Sequence, residues 1–223
     1  SDLNSIESIQ YRIDANGNGT YDETENWQEL SRLCSYNSER NIISATTTVE
    51  YNADGVLAYE FRAVDIYDNI GYSGISSSEG IDDDWVVRID TTPPLVYNPV
   101  PGNQPQPEWM VRDCVIGCSI SDLNTISLIE YRIDINGNGM YDADECWQMV
   151  DLSRSNRYQI DVLQPVLFET DGLCHFEFRA TDFVGNIGYS GNQNTEDIED
   201  DWIVRIDSTP PVFINPLPNN QPI

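Results

Sequence analysis

Two segments of the chain place oxygen-bearing side chains at the same five positions of a 12-residue loop. Each loop has Asp or Asn at positions 1, 3, 5 and 9, Glu at position 12 and Gly at position 6. Ca²⁺ prefers six or more oxygens, and a tightly curled loop can supply them from alternate side chains and the position-7 carbonyl. The spacing therefore predicts a Ca²⁺ site in each loop. The predicted ligands are Asp14, Asn16, Asn18, Thr20, Asp22 and Glu25 in the first loop, and Asp134, Asn136, Asn138, Met140, Asp142 and Glu145 in the second.

This spacing is that of an EF-hand calcium loop, here placed between two strand-like patterns instead of two helices. The simpler alternative is an Asn-Gly-rich hairpin turn, which needs only about two to five residues and no acid at positions 9 and 12. The full pattern, present twice, favours calcium. Because positions 3 and 5 are asparagine, only three carboxylates face each ion, which predicts an affinity on the order of micromolar to millimolar.

The composition restricts the classes of partner. Against 38 Asp and Glu stand only 11 Lys and Arg, giving a formal net charge of −27 over 223 residues. Such a surface repels nucleic acid and attracts divalent cations. No apolar run approaches the roughly 18 residues that span a bilayer. We expect no nucleic-acid partner and no direct membrane insertion. No signal segment opens the sequence, and we expect a mature product or an excerpt of a longer polypeptide.

The sequence is a tandem repeat. Residues 1–14 return as residues 121–134, an offset of 120 (121 − 1), and residues 59–63 return as residues 176–180, an offset of 117 (176 − 59). The difference of three residues falls in a variable stretch between about residues 28 and 53, which we expect to be loop. A period of this length matches one whole domain per repeat.

The borders of the repeats are the motifs Asp-Thr-Thr-Pro-Pro94 and Asp-Ser-Thr-Pro-Pro211. Because proline stiffens the chain and removes a hydrogen-bond donor, these motifs predict linkers. Residues 93–209 then form a complete repeat, and residues 1–92 form a repeat that lacks its opening strands. Residues 210–223 are the first strand of a following repeat or a donor strand, since Val-Phe-Ile-Asn-Pro mirrors Leu-Val-Tyr-Asn-Pro.

The missing opening segment leaves two interpretations of the first repeat. Either the gene product is longer, or a neighbouring copy supplies the strand by β-augmentation. Residues 210–223 could donate a first strand, but they contain no counterpart of residues 109–120. That difference favours a longer polypeptide and leaves head-to-tail exchange open. A native mass well above 25.3 kDa would support the longer polypeptide.

Short alternating runs between turn residues predict an all-β fold. Alternation covers residues 9–13 and 59–63, with repeats at 129–133 and 176–180, and residues 85–90 and 202–207 resemble last strands. Residues 109–120 read as one early strand. About seven strands per repeat indicate tandem antiparallel β-sandwiches.

The sequence resembles the immunoglobulin-like tandem repeats of prokaryotic secreted and cell-surface proteins. The likeness is carried by the Pro-Pro borders, by Phe-Glu-Phe-Arg-Ala-Thr-Asp182 and by the following Val184-Gly-Asn-Ile-Gly turn. The first repeat departs slightly, with Asp68-Asn69 in place of Gly185-Asn186. The resemblance implies an extracellular or cell-surface location and a role as spacer, stalk, adhesin or filament module.

We therefore expect a calcium-stabilised structural repeat of a stalk, surface layer or filament, whose partners are other copies of the chain or adjacent repeats. The alternative is an adhesin or carbohydrate-binding module of a larger secreted protein, with a glycan or surface ligand. We expect no enzymatic activity and no catalytic residues. His175 is the single histidine and aligns with Ala58, and no recognised catalytic motif is present.

Three further sets of residues carry secondary predictions. Of the five cysteines, Cys118 and Cys174 fall on predicted core strands and are the candidate disulfide, which would fit an extracellular setting. The acidic runs at 82–84 and 199–201 are expected to protect sheet edges, with an ion site as the alternative. A last set could cap turns or form a second calcium site, and turn capping is favoured. Its members are Asp2, Asn4, Asp65, Asp122, Asn124 and Asp182.

Overall fold

The computed structural model describes residues 3, 5–30, 35–36, 43–74, 81–102, 107–151, 158–191 and 198–214. These residues form strands and two short 3-10 helices, so the predicted all-β class is confirmed. No helix in these ranges is long and apolar enough to cross a membrane. The chain divides into two compact units, Ser1–Thr91 (unit 1) and Thr92–Ile223 (unit 2).

Unit 1 is built around one antiparallel sheet. Its order is β2-β1-β5-β6, and β7 pairs with the first half of β5. Strands β3 and β4 form a separate two-stranded sheet. The strands are β1 (Ile6–Ile13), β2 (Gln28–Glu29), β3 (Ser35–Tyr36), β4 (Ile43–Ser44), β5 (Gly55–Asp65), β6 (Ile70–Tyr72) and β7 (Trp85–Ile89), with a 3-10 helix at Ile81–Asp83.

Unit 2 is a β-sandwich of two sheets whose strand pairs are antiparallel, except for the parallel pair β16-β9. One sheet has the order β13-β10-β8, and the other has the order β12-β11-β14-β16-β9 with β15 also paired to β14. Its strands are β8 (Leu95–Val100), β9 (Trp109–Met110), β10 (Asp113–Ser121), β11 (Ile126–Ile133), β12 (Gln148–Met149), β13 (Gln159–Leu167), β14 (Gly172–Asp182), β15 (Ile187–Tyr189) and β16 (Trp202–Ile206), with a 3-10 helix at Ile198–Asp200.

The predicted single strand over residues 109–120 is wrong in one respect. The chain forms β9, breaks at Val111 and Arg112, and continues as β10 in the other sheet. At the break, the amide of Arg112 donates to Ser208 Oγ, and its carbonyl accepts from the amide of Phe168. These bonds satisfy the backbone outside the ladders, which lets the chain change sheets.

The core of unit 2 lies between its two sheets. Alternating side chains of β11 and β14 point into it, as the sequence pattern predicts. The opposite sheet supplies alternating residues of β10 and β13. The largest fully buried members of this core are Ile116, Ile120, Ile126, Ile129, Phe168, Phe176, Phe178, Val204 and Ile206.

Unit 1 repeats one sheet of unit 2 with the same register. Tyr11 lies opposite Phe61 as Tyr131 lies opposite Phe178. The described residues of unit 1 contain no counterpart of the β13-β10-β8 sheet over this face. Consequently Trp85 is 47% exposed, whereas Trp202 of unit 2 is 5% exposed.

Each border motif is held by one aspartate of its own unit. The Asp54 carboxylate accepts from the amide of Thr91 at 3.0 Å and from its hydroxyl at 2.8 Å. In unit 2, Asp171 accepts from the amide of Ser208 and the hydroxyl of Thr209, and the latter bond holds the pKa of Asp171 below its ordinary value. Residues 210–214 follow outside any strand, and residues 215–223 of the predicted terminal strand lie outside the described residues.

Candidate metal centres

The two predicted calcium loops connect neighbouring strands on the same sheet of each unit. The first loop runs from β1 to β2, and the second runs from β11 to β12. Each loop begins with an aspartate whose backbone amide is hydrogen-bonded to a neighbouring strand of the same sheet. The amide of Asp14 donates to Ala58 O and that of Asp134 to His175 O, both at 2.9 Å. The first predicted ligand therefore has a fixed position in each unit.

The first half of loop 1 curls around its own side chains. The Asp14 carboxylate accepts from the amides of Asn18 at 3.1 Å and Gly19 at 3.0 Å. The side-chain oxygen of Asn16 accepts from the amide of Asn18 at 2.9 Å, and that of Asn18 accepts from the amide of Thr20 at 2.8 Å. Alternate side chains thus turn inward, as the ligand spacing requires.

Glu25 closes the loop from its far end. One carboxylate oxygen accepts from the amide of Ala15 at 2.7 Å, and the other accepts from the amide of Asp22 at 3.0 Å. Asp22 is itself reached by the side-chain amides of Asn16 and Asn18, at 2.9 and 3.0 Å. Hydrogen bonds within the loop therefore link the side chains at positions 3, 5, 9 and 12 to one another or to the loop backbone.

Two glycines permit the curl. Gly17 and Gly19 have φ of 69° and 79°, and their counterparts Gly137 and Gly139 have φ of 67° and 79°. An added Cβ on Gly19 would meet no atom within 4 Å, so backbone conformation and not space explains glycine at position 6.

Loop 2 has the same bonds in the same places. Asp134 accepts from the amides of Asn138 and Gly139 at 3.1 and 2.9 Å. Glu145 accepts from the amides of Ile135 and Asp142, both at 2.7 Å. Two loops that differ in four of their twelve residues therefore have one geometry.

The charge and burial of the loops fit a hard divalent cation. Each loop has three carboxylates at predicted ligand positions, and those at positions 1 and 12 are buried: Asp14 is 2%, Glu25 7%, Asp134 0% and Glu145 6% exposed. The Nδ1 atom of His175 lies 3.6 Å from the Asp134 carboxylate. Buried carboxylates without a cation are costly, so a bound Ca²⁺ would relieve both loops.

Carboxylates alone do not complete either centre. Within the described residues, the three carboxylates of a loop do not all approach within 4.8 Å of one another. The amide oxygens at positions 3 and 5 and the carbonyls of Thr20 and Met140 are therefore needed to reach the six or more ligands that Ca²⁺ takes.

A layer of aromatic and charged side chains joins each loop to the outer face of its sheet. We call it the outer layer: Arg12, Tyr21, Trp27, Glu60 and Asp84 in unit 1, and Arg132, Tyr141, Trp147, Glu177 and Asp201 in unit 2. The Arg132 guanidinium lies 3.9 Å from the ring centre of Tyr141 and 4.5 Å from that of Trp147. Arg12 makes the same contacts with Tyr21 and Trp27 at 4.0 and 4.4 Å.

The tyrosine at loop position 8 is also hydrogen-bonded. The Tyr21 hydroxyl donates to Asp84, and the Tyr141 hydroxyl donates to Asp201. Burial, together with the neighbouring Asp201 carboxylate, raises the pKa of Tyr141 far above its ordinary value. The tyrosine is therefore a permanent donor, and it fastens the loop to the residue before the last strand.

The outer layer was not predicted. The sequence pattern assigned residues 82–84 and 199–201 to edge protection, whereas Asp84 and Asp201 accept hydrogen bonds from the loops. The available signal was the repetition of Tyr at loop position 8 together with Asp directly before Trp85 and Trp202.

Members of the secondary acidic set cap turns in the structure, and the carboxylates of Asp122 and Asp182 also lie within 4.8 Å of one another, so the second calcium site stays a prediction beside turn capping. Asp182 accepts from the amides of Gly185 and Asn186 at 2.6 and 2.9 Å. Asp65 accepts from the amides of Tyr67 and Asn69 at 2.8 and 2.9 Å. Asp122 likewise accepts from the amide of Asn124 at 2.6 Å. Asp2 and Asn4 lie outside the described residues.

The candidate disulfide between Cys118 and Cys174 is not formed. Both side chains are buried in the core, and both are free thiols. Burial, followed by the Asp134 carboxylate and the Cys114 thiol, raises the pKa of Cys174 to about 12. The thiol that contributes to this pKa shift is that of Cys114, not that of Cys118.

Comparison with known proteins gives little further information. No family model matches the chain, and no curated protein matches it. Among solved structures, it is similar to the Clostridium thermocellum CbhA fibronectin(III)-like modules, with 11% identity, 92% of this chain and 80% of that chain covered, and a TM-score of 0.30. That score is too low to carry an argument. The β-sandwich assignment rests on the strands themselves, and the resemblance to prokaryotic surface repeats stays a prediction.

Proposed function

We propose that the chain consists of calcium-stabilised structural repeats of an extracellular stalk, surface layer or filament. The observation that carries this proposal is the matching pair of loops, one in each unit. Each loop folds back on its own oxygen-bearing side chains and buries the carboxylates at positions 1 and 12.

The proposed role of the ion is mechanical. Without it, three carboxylates repel one another in a loop that connects two paired strands. With it, the loop becomes a cross-link whose far end is fastened to the sheet by Tyr21 or Tyr141. Weak affinity suits this role, because extracellular calcium sites operate in the range of about 0.1 to 1 mM.

Removing calcium should lower the melting temperature and expose the loops to protease. At a calcium concentration of about 100 Kd, binding to the native state contributes about 2.7 kcal/mol, and its loss should lower the melting temperature by about 10 °C or more. Calorimetry with and without a chelator measures the shift. Limited proteolysis followed by mass spectrometry should show new cuts near Gly17 and Gly137. If neither measurement changes, the loops are only turns.

Replacing Glu145 with Gln should remove the calcium effect from unit 2 alone. The change keeps the side-chain size and one oxygen but deletes a carboxylate from the site, which weakens calcium binding. The two thermal transitions report the two units. Tryptophan fluorescence of single-Trp variants assigns each transition to its unit. Glu25→Gln is the matched control and should remove the effect from unit 1. A variant that keeps the full calcium shift in its own unit contradicts the assignment.

A further inference from the structure

Each calcium loop contains two Asn-Gly pairs, at loop positions 3–4 and 5–6. They are Asn16-Gly17 and Asn18-Gly19 in loop 1, and Asn136-Gly137 and Asn138-Gly139 in loop 2. In such a pair the amide nitrogen of the glycine can attack the carbonyl carbon of the asparagine side chain, and glycine has no Cβ that obstructs the attack. Because all four pairs have the same chemistry, their surroundings decide which of them react.

The second pair of each loop is held by a buried carboxylate. The amide of Gly19 donates to Asp14 at 3.0 Å, and that of Gly139 donates to Asp134 at 2.9 Å. A hydrogen bond to an ionised carboxylate is stronger than one between neutral groups, and this bond must break before the nitrogen can attack. The asparagine at position 5 is therefore protected in both loops.

The first pair of each loop lacks this protection. Within the ranges that the structure describes, the amides of Gly17 and Gly137 donate no hydrogen bond. Gly17 is exposed, whereas Gly137 is half-buried. Water, which completes the reaction, therefore reaches the pair in loop 1 more readily than the pair in loop 2. We expect Asn16 to react first and Asn136 second.

The asparagine at position 3 also contacts the acid at position 9. Nδ2 of Asn16 donates to Asp22 at 2.9 Å, and Nδ2 of Asn136 donates to Asp142 at 2.8 Å. Aspartate at position 3 would remove this donor and add a fourth carboxylate to the predicted ligands. Neighbouring carboxylates repel one another, and calcium affinity depends on the number of charged ligands. The converted loop would therefore be less stable without calcium and would bind calcium more tightly.

We propose that Asn16 and Asn136 deamidate in the folded chain, and that the aspartate product makes each loop a tighter and more strictly calcium-dependent site. In loop 1, the Gly17 nitrogen bonds to Cγ of Asn16, the Cγ–Nδ2 bond breaks, and ammonia leaves a cyclic imide. Water then opens the imide. Cleavage of the new Cγ–N bond gives aspartate, and cleavage of the backbone C–N bond gives isoaspartate, with one extra methylene in the backbone. The choice of pair is independent of the proposed function, whereas the effect on calcium binding rests on it.

Peptide mapping of the full chain tests the choice of pair. The chain is incubated at mildly alkaline pH in a chelator, and trypsin then releases residues 13–32 and 133–154 for tandem mass spectrometry. Asn18 and Asn138 should deamidate about tenfold or more slowly than Asn16 and Asn136, because a charge-assisted hydrogen bond protects them. An unincubated sample corrects for reaction during digestion. In urea the loop bonds are lost, and all four asparagines should react at similar rates.

The variant Asn136→Asp tests the effect on calcium binding, because it supplies the aspartate product in uniform form. It should bind calcium in unit 2 roughly tenfold more tightly than the wild-type chain. It should also lower the melting temperature of unit 2 in the presence of a chelator. Asn136→Ser is the matched control, since it removes the reactive amide without adding a charge, and it should not tighten binding. Calorimetric melting at graded calcium concentrations measures all three chains.

Three results would overturn the proposal. Equal deamidation of Asn16 and Asn18 in the folded chain would refute the protection by Asp14. An Asn16 that reacts in urea but not in the folded chain would show that the folded loop blocks both pairs. An Asn136→Asp chain with the calcium affinity of the wild type would refute the stated effect. If the wild-type melting temperature does not depend on calcium while the order of the four rates holds, the role of the ion fails and the modification site stands.

Discussion

Replacing Arg132 with Met should lower the free energy of unfolding of unit 2 by about 3–5 kcal/mol. The Arg132 guanidinium lies 2.6 Å from the Glu177 carboxylate, and the two side chains are 11% and 0% exposed. Methionine fills much of the same volume but leaves the carboxylate buried without its cation. The same change also removes the stacking of Arg132 on Tyr141 and Trp147. Urea denaturation followed by circular dichroism measures the loss.

A second variant separates charge from packing. In Arg132→Met with Glu177→Leu, neither charge is left, so the double variant should be more stable than Arg132→Met alone. Arg12→Met is the matched change in unit 1, where the ion pair with Glu60 has the same 2.6 Å length and 12% and 0% exposure. A loss below about 1 kcal/mol for Arg132→Met would show that water screens the pair as it screens surface pairs.

Replacing Phe178 with Ala should cost about 3–5 kcal/mol, while the equivalent change at Phe61 should cost less than half as much. Phe178 is fully buried beneath the second sheet of unit 2 and stacks edge-on against Phe176 at 6.4 Å. Phe61 is half-buried and lines a cavity of about 340 Å³. Truncating the Phe61 side chain therefore removes less buried apolar surface than truncating the Phe178 side chain does.

Calorimetry of the two single variants compares the units within one molecule. The Phe61→Ala sample should keep the unit 2 transition unchanged, and Phe178→Ala should keep that of unit 1. Equal losses for the two variants would mean that the Phe61 face is covered in solution as the Phe178 face is.

Much of this fold follows from local sequence. Alternation of apolar residues in β11 and β14 requires one buried face, and the structure has that face at Ile129, Tyr131 and Phe178. The position-6 glycines and the inward side chains of both loops also follow from spacing, since a 12-residue curl has few alternative geometries.

Other features depend on contacts between residues far apart in the chain. The bond from Tyr141 to Asp201 spans 60 residues, and no local pattern pairs them. At the break between β9 and β10, the amide of Arg112 donates to Ser208 Oγ, 96 residues further along the chain. The sequence pattern could not decide which of Cys114 and Cys118 lies closer to Cys174, because both residues fall on the same buried face of β10.

The aspartate that holds each border motif has a consequence for any long array of these repeats. Asp171 fixes Ser208 and Thr209 directly before two prolines, whose φ angles are themselves restricted. The direction in which the polypeptide leaves a unit is thus set by that unit's own sheet. For an array of such repeats, this carboxylate would change the persistence length, which measures bending stiffness. The contour length of the array would stay the same. Selection on the bending stiffness of an array could therefore act on one partly buried carboxylate in each repeat.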